Sequence, residues 1–339
     1  MKRIVLTRTV EQYAADYLAD LKKLTDSPLN KLTNLRNSLD GDYRNYVDTI
    51  IRNYDDIIQA KPDEMNKNGG RIMAFFSPFD GHVDLSADRT IDDVQANGST
   101  KQVTKKFYQC VVDALEYDEV QEQIFPKYVK KLGIKGCVYC NAQYAISAKR
   151  GKTVSGRKYR STFTIDHYWP KSKYPFLATS FFNLYPACST CNQTKSYKDP
   201  IFELYIKPTD PSEERNPFLF SLDKVSFVKY SMTGQTEDLD IKFGTGTGIP
   251  AQKATDYENY FHVEKMYGNL KDTVEEVIWK YRVYNKAGRQ ALVNSFGRLL
   301  PHKSDWNRFV LGNYDREEDI HKRPLAKLVQ DVAKQLGII

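Results

Sequence analysis

Four cysteines arranged as two Cys-x-x-Cys pairs constrain this chain more than any other feature. The first pair is Cys137 and Cys140, and the second is Cys188 and Cys191. Two intervening residues allow a tight turn to direct both thiolates of a pair at one ion, and two such pairs complete the tetrahedral shell of a structural Zn²⁺. The pairs therefore predict one zinc site that joins both ends of the segment between them.

Two disulfides, or four buried thiols without a metal, are the alternatives for these cysteines. We expect no signal peptide, and hence a reducing, cytoplasmic location, which favours zinc over disulfides. Cys110 is the fifth cysteine and stands beside Val111 and Val112 in an apolar stretch. That setting predicts a buried structural thiol.

The segment between the pairs contains a short pattern of side chains that are able to act in catalysis. Residues 162–165 alternate polar and apolar side chains, which predicts a short strand that ends at Asp166 and His167. Two prolines downstream predict a loop, and residues 192–195 suit the first turns of a helix. We therefore expect a strand, a loop and a helix beside one zinc site.

The order Asp-His, Asn-Leu and Cys-x-x-Cys-Asn-x-x-Lys within residues 137–199 resembles the HNH endonuclease family, whose fold is the ββα-metal fold. One departure concerns the last letter of the motif, because Asn192 stands where the family name has histidine. The segment therefore resembles an H-N-N variant, like the HNH domain of CRISPR effector nucleases.

The resemblance implies a role for each matching residue. His167 corresponds to the general base that activates water, and Asp166 and Asn192 correspond to the two protein ligands of the catalytic metal. Asn183 corresponds to the residue that fixes the loop beside the base. Lys195 corresponds to a lysine near the scissile phosphate or the start of the helix.

Elementary chemistry agrees with these roles. Histidine has a pKa near neutrality and can accept a proton from water. The oxygen donors of Asp166 and Asn192 suit Mg²⁺ or Mn²⁺ better than Zn²⁺. The alternatives are a core histidine without catalytic function and a non-catalytic zinc module that binds nucleic acid.

Positive charge is concentrated on the same segment. The chain carries a formal charge of +7, and residues 137–199 contain ten Lys and Arg against two Asp, so the remaining residues sum to −1. Most of these cations surround a glycine-bounded turn, and we expect them to contact DNA phosphates unless they are an ordinary solvated turn. The candidate nucleic-acid residues are Lys149, Arg150, Lys152, Arg157, Lys158, Arg160, Lys171 and Lys173.

Three aromatic residues follow the candidate base, namely Tyr168, Trp169 and Tyr174. They are able to stack on bases, but a small local core is the favoured interpretation.

The fold class predicted for the whole chain is α+β. Mainly helical flanks surround a zinc-clamped ββα-metal module, and a small antiparallel β piece follows it. We expect a helical region over 1–130, the nuclease module over 131–200, and strands followed by helices over 201–339. Residues 65–104 are rich in Gly, Asn, Asp and Ser and predict a long loop or an irregular lobe. No apolar run is long enough for a transmembrane helix.

The flanks are large for a bare nuclease, and they carry no second catalytic pattern that the sequence reveals. The architecture of an HNH module with large helical flanks also resembles the nuclease component of bacterial anti-phage systems such as Septu. This resemblance implies a partner ATPase. A restriction-type or mobile-element endonuclease is the alternative setting. The sequence does not distinguish a DNA from an RNA substrate.

Overall fold

The computed structural model describes residues 1–94, 100–149, 159–299 and 302–339. Helices dominate these residues, and the strands form two-stranded sheets, so the α+β class is confirmed. The helices are α1 Arg8–Lys22, α2 Pro28–Asn37, α3 Gly41–Arg52, α4 Tyr54–Ile58, α5 Arg71–Phe76, α6 Phe107–Ala114, α7 Tyr117–Glu119, α8 Phe125–Lys131, α9 Ser189–Lys195, α10 Lys224–Thr233, α11 Ala251–Phe261, α12 Val263–Tyr267, α13 Lys271–Val283, α14 Lys286–Phe296, α15 Lys303–Leu311 and α16 Ala326–Gln335.

The strands pair two by two. Four pairs are antiparallel, namely β2 with β3, β4 with β5, β6 with β7 and β9 with β10, whereas β1 and β8 are parallel. The strands are β1 Ile4–Val5, β2 Asp88–Val94, β3 Thr100–Lys106, β4 Ser147–Lys149, β5 Tyr159–Ser161, β6 Thr164–His167, β7 Leu184–Ala187, β8 Tyr205–Ile206, β9 Phe218–Leu222 and β10 Ile241–Thr245.

The N-terminal helices follow from helical periodicity and capping. Thr7 precedes α1, and its side chain accepts a hydrogen bond from the amide of Val10, which satisfies one of the unpaired donors of the first turn. The buried face of α1 is apolar and spans Val10 to Leu21 at helical spacing. The next apolar face, over residues 46–58, is divided between α3 and α4 at Asn53.

The expectation of an irregular lobe over 65–104 was only partly right. The lobe contains α5, and β2 and β3 form an antiparallel hairpin. Opposite charges meet across the hairpin, for example Asp88 with Lys106, and the hydroxyls of Thr90 and Thr104 lie 2.9 Å apart. Ile91 and Val103 form an apolar pair in this hairpin, but most of its cross-strand pairs are polar, so hydrophobic alternation gave little signal for it.

The β piece after residue 200 also differs in detail from the prediction. β9 and β10 form the expected antiparallel pair. Val225 and Phe227 continue the alternation of apolar residues along β9, which favours a strand, but they lie in α10. The reason is local: Asp223 accepts a hydrogen bond from the amide of Ser226 at 2.9 Å and caps a new helix directly after β9.

Contacts cross both boundaries of the three predicted regions. β1 near the N-terminus pairs with β8 after the module, and the hydroxyl of Tyr17 on α1 donates to the carbonyl of Thr179 at 2.9 Å. The amide of Leu325, just before α16, donates to the carbonyl of Asn141 at 2.7 Å. The apolar core is shared among all three regions, so the division at residues 130 and 200 stays a prediction.

Two smaller expectations have a clear outcome. Cys110 is a free, buried thiol on α6, as predicted. Among the residues that the structure describes, no helix has the length and apolar character needed to cross a bilayer.

The contact between Tyr17 and Thr179 generates a stability prediction. Tyr17→Phe removes the donor and leaves a buried carbonyl without its partner, so the free energy of unfolding should fall by about 1–2 kcal/mol. Urea denaturation measures this loss. Tyr13→Phe on the same helix is the control, since its hydroxyl does not take part in this contact; an equal loss in both variants would contradict the prediction.

Candidate functional site

The segment between the cysteine pairs folds as two antiparallel strands followed by a helix. His167 at the end of β6 lies opposite Leu184 at the start of β7, and Cys188 precedes the first residue of α9. The predicted strand, loop and helix are therefore confirmed. Because neighbouring residues in a strand point to opposite faces, Asp166 and His167 have different surroundings.

The four cysteines converge on one point. Their sulfur atoms all lie within 4.8 Å of one another, all four residues are buried, and none forms a disulfide. The sulfur atoms of Cys140 and Cys188 are 4.0 Å apart, close to the ~3.8 Å that a tetrahedral ion with bonds of about 2.3 Å to sulfur implies. The two-disulfide alternative is therefore wrong, and the cluster is able to bind a metal ion.

Backbone amides point at two of these sulfur atoms. The amide of Cys188 donates to Sγ of Cys137 at 3.3 Å, and the amide of Ala142 donates to Sγ of Cys140 at 3.4 Å. Such bonds stabilise negative charge on sulfur, which is the form in which a cysteine binds metal.

Residues far away in sequence hold the first cysteine pair. The hydroxyl of Tyr257 donates to the carbonyl of Tyr139 at 2.6 Å, and that of Tyr267 donates to the carbonyl of Cys140 at 2.7 Å. Asn141 has a positive φ of 55° and donates through Nδ2 to the carbonyl of Ile320 at 3.0 Å. Sequence reasoning missed these supports, because the positions of the 23 tyrosines in the chain do not indicate which carbonyl each hydroxyl contacts.

His167 lies on the face of β6 that is turned towards the following loop. Its Nε2 is 2.9 Å from the carbonyl of Ala178, and its ring centroid is 4.8 Å from that of Tyr117. A carbonyl oxygen can only accept, so Nε2 carries the proton and Nδ1 carries the lone pair. Burial of the ring, with the nearby ammonium groups of Lys171 and Lys195, lowers the pKa of His167 to about 3.

Asp166 lies on the opposite face, and only 3% of it is exposed. Its Oδ2 accepts a hydrogen bond from the hydroxyl of Tyr139 at 2.5 Å and lies 3.3 Å from Nζ of Lys195. Burial raises the pKa of Asp166 to about 6, although Lys195 and Tyr139 both oppose the rise. Tyr139 stands inside the first cysteine pair and was not among the residues expected at the site.

Lys195 at the end of α9 is buried, with 2% of its surface exposed. Its Nζ donates to the carbonyl of His167 at 2.5 Å and pairs with Asp166. Burial lowers the pKa of this ammonium group. The side chain thus ties α9 to the end of β6 and does not point into solvent.

Asn183 and Asn192 make different contacts. Asn183 is fully buried; its Oδ1 accepts from the amide of Trp169 at 2.7 Å, and its Nδ2 donates to the carbonyl of Leu177 at 2.9 Å. These bonds join the two ends of the loop between β6 and β7. Asn192 on α9 is half-buried and donates to Oγ1 of Thr164 at 3.0 Å, on the face of β6 that also carries Asp166.

Residues 137–198 match the family model HNH endonuclease. The match covers less than a fifth of the 339 residues and coincides with the cysteine cluster and the strands and helix just described. No curated protein and no solved structure matched the chain. The match indicates a nuclease domain and therefore a nucleic-acid substrate. We call residues 137–198 the HNH segment.

The basic residues of the HNH segment occupy two places. Lys149 and Arg160 are exposed on the hairpin of β4 and β5. Lys171 is half-buried, with its Nζ 4.1 Å from the ring centroid of Tyr117, beside His167; Lys173 is exposed and lies 3.3 Å from a carboxylate oxygen of Asp199. The other four predicted contacts, Arg150, Lys152, Arg157 and Lys158, lie outside the described residues.

The aromatic residues after His167 pack on one another, as the favoured interpretation predicted. Trp169 is buried, and its ring lies 5.4 Å from Tyr168 and 5.2 Å from Tyr174, edge to face. Tyr168 also stacks on Tyr185 at 5.4 Å. These rings form the local core beneath the loop.

The cysteine cluster generates a prediction about metal content. Cys188→Ser should lose the metal that the cluster is able to bind and lower the free energy of unfolding by about 4 kcal/mol or more, because metal-binding energy is folding energy in such sites. Elemental analysis and thermal unfolding measure the two effects.

Cys110→Ser is the matched control, since Cys110 is equally buried but lies outside the cluster. It should keep the metal. Equal metal content in both variants would mean that the cluster does not bind the ion.

Proposed function

We propose that this protein is a metal-dependent endonuclease that hydrolyses phosphodiester bonds of DNA. His167 accepts the proton of the attacking water, and Asp166 and Asn192 bind Mg²⁺ or Mn²⁺. The observation that carries this proposal is the setting of His167: it ends a strand of the HNH segment, and a backbone carbonyl holds one nitrogen of its ring.

The hydrogen bond to Ala178 supports His167 as the base. It orients the ring and leaves Nδ1 as the nitrogen that accepts a proton. Burial lowers the pKa of His167, which keeps the imidazole neutral at pH 7 with Nδ1 unprotonated, although the same shift makes the ring a weaker base. Asn183 supports this arrangement from the other side, since it binds the carbonyl of Leu177, the residue before Ala178.

The face of β6 that carries Asp166 suits a hard cation. The carboxylate of Asp166 and the amide oxygen of Asn192 are the donor types that Mg²⁺ and Mn²⁺ prefer. A carboxylate has about four lone-pair positions, so the bonds from Tyr139 and Lys195 leave acceptor capacity. A bound divalent ion would supply positive charge beside the phosphate and the leaving oxygen.

Lys195 takes a different part in this proposal from the one the resemblance implied. It donates to the carbonyl of His167 and to the carboxylate of Asp166 at once. We assign it as a positioning residue that orients the end of β6 and balances the charge of Asp166, and not as a residue that contacts the scissile phosphate.

The cysteine cluster belongs to a second, structural ion. Sulfur ligands in a closed tetrahedral set favour zinc and leave no open coordination position for a substrate. The zinc would hold the HNH segment together, whereas the oxygen donors of Asp166 and Asn192 would bind the catalytic ion.

The proposed substrate contacts are the cations of the HNH segment. Lys149 and Arg160 on the exposed hairpin, with Lys171 and Lys173 in the loop after His167, present positive charge on the segment that carries the base. The four cations between Lys149 and Arg160 in the sequence belong to the same proposed set, and only their positions in the sequence support this.

A non-catalytic zinc module that binds nucleic acid is the second candidate. The near-complete burial of Asp166, and its ion pair with Lys195, favour it, since a metal must compete for a carboxylate that is already paired. The two candidates share the zinc and the nucleic acid and differ in strand cleavage.

The biological setting stays a prediction from the resemblance. Anti-phage defence with a partner ATPase is the proposed role, and a restriction-type or mobile-element endonuclease is the alternative. A nuclease assay with and without the product of a neighbouring ATPase gene tests the dependence on a partner.

The nuclease prediction is tested on plasmid DNA with Mg²⁺ or Mn²⁺, alone and with any genomic partner. His167→Ala should lower the cleavage rate by about 10²–10⁴-fold, the usual loss for a general base. Asn192→Ala should also lower it, but excess Mn²⁺ should restore part of the rate, because mass action offsets weaker metal binding. Asp166→Ala should keep its zinc.

Two results would contradict these assignments. Rescue of His167→Ala by metal, without rescue of Asn192→Ala, would make His167 a ligand. No cleavage by the wild type under any condition, together with salt-dependent DNA binding, would leave the non-catalytic module.

The proposed phosphate contacts make a separate prediction. Replacing Lys149 and Arg160 by Ala should weaken DNA binding on every sequence and lower the salt slope of log K by about one for each lost phosphate contact. Fluorescence anisotropy over a range of salt concentrations measures the slope. An unchanged slope would identify these residues as part of a solvated turn.

A further inference from the structure

A cavity of about 530 Å³ lies between residues 67–85 of the N-terminal region and the loop that follows His167. Its walls include the rings of Phe79, Tyr174 and Phe176 and the side chains of Lys67 and Lys173. Residues 67–85 lie outside the HNH segment, so the match to the family model covers only the wall that Lys173, Tyr174 and Phe176 form.

The two lysines on the rim are already placed around one anion. Nζ of Lys67 lies 3.5 Å from one carboxylate oxygen of Asp199, and Nζ of Lys173 lies 3.3 Å from the other. All three side chains are about half exposed, and exposed ion pairs of this kind contribute little to stability. A phosphate group could therefore replace the carboxylate between the same two ammonium groups.

Aromatic residues line the cavity beside these lysines. Phe76 and Phe176 stack face to face at 3.7 Å with an angle of 9° between their planes, and both are buried. Phe79 and Tyr174 are half-buried beside them and expose ring surface to the cavity. Aromatic surface next to cationic groups is the arrangement by which proteins bind single-stranded nucleic acid, with bases on the rings and phosphates at the cations.

The cavity is close to the candidate base along the chain. The amide of Lys173 donates to the carbonyl of Pro170 at 3.0 Å, and Pro170 follows His167 by three residues, so the backbone of Lys173 lies within about 15 Å of His167. Phe176 in the cavity wall is two residues from Ala178, whose carbonyl holds the ring of His167. The loop after His167 therefore connects the candidate base to one wall of the cavity.

We infer that this cavity binds one nucleotide unit, with the base against Phe79 and Tyr174 and the phosphate between Lys67 and Lys173. The inference rests on the proposed function in one respect: the strand cut at His167 is the expected source of the nucleotide. A free nucleotide has the same chemistry and is the other source.

The test uses the full chain with His167→Ala, which binds without cutting. On this background, Lys67→Ala combined with Lys173→Ala should weaken binding of a short single-stranded DNA about tenfold, and Phe79→Ala should do the same. The control combines Lys22→Ala with Lys207→Ala. These lysines are 44% and 50% exposed, against 45% and 47% for Lys67 and Lys173, and each also pairs with an Asp, but neither lines the cavity.

Titration with dAMP separates the two sources. If a free nucleotide is the occupant, dAMP should bind the control protein and displace the DNA, and the Lys67 and Lys173 variant should lose this binding. If a strand supplies the nucleotide, the variant should lose DNA affinity while dAMP competes weakly.

Equal affinity of the lysine variant and the control for both ligands would overturn the inference. If Phe79→Ala binds like the control while the lysine variant is impaired, the cavity holds a phosphate alone and the base contact is wrong. Both readouts are binding measurements, so a failure of cleavage by the wild type would not imitate either result.

Discussion

The convergence of four cysteine sulfur atoms is the constraint on which the candidate site depends. Cys137 and Cys140 precede the segment that carries β6 and β7, and Cys188 and Cys191 lie at the beginning of α9. Closing a segment of this length costs conformational entropy, and metal binding at the cluster would offset that cost. The relative positions of β6, β7 and α9, and hence of His167, Asp166 and Asn192, follow from this closure.

The second constraint is the burial of charge beside the cluster. Asp166 and Lys195 are both removed from water, and one alone would be strongly destabilising. Their pairing, with a bond from Tyr139, makes the burial possible and fixes the end of α9 against the end of β6. The same bonds make Asp166 a carboxylate with a defined orientation, which a metal ligand requires, and they explain why a non-catalytic module is a serious alternative.

Residues on both sides of the HNH segment in the sequence contact it. Tyr17 on α1 binds the loop after His167, and Tyr257 and Tyr267 bind the backbone of the first cysteine pair. The N-terminal lobe around residues 67–85 forms one wall of a cavity whose other wall is that loop. The HNH segment thus shares its core with the rest of the chain, and the lobe adds surface that the segment lacks.

The amino-acid sequence by itself determined the short-range features. The spacing of the cysteines predicted the cluster, and the alternation before Asp166 and the residues after Cys191 predicted the strand and the helix, because each pattern depends on neighbours a few residues apart. Where a local polar effect replaced apolar alternation, prediction failed, as for the β2 and β3 hairpin and for the helix that Asp223 caps. Only the tertiary structure decided which groups meet: Tyr139 with Asp166, Ala178 with His167, and Lys67 with Lys173 around Asp199. These contacts join residues whose order along the chain carries no trace of their proximity, since packing and loop closure bring them together.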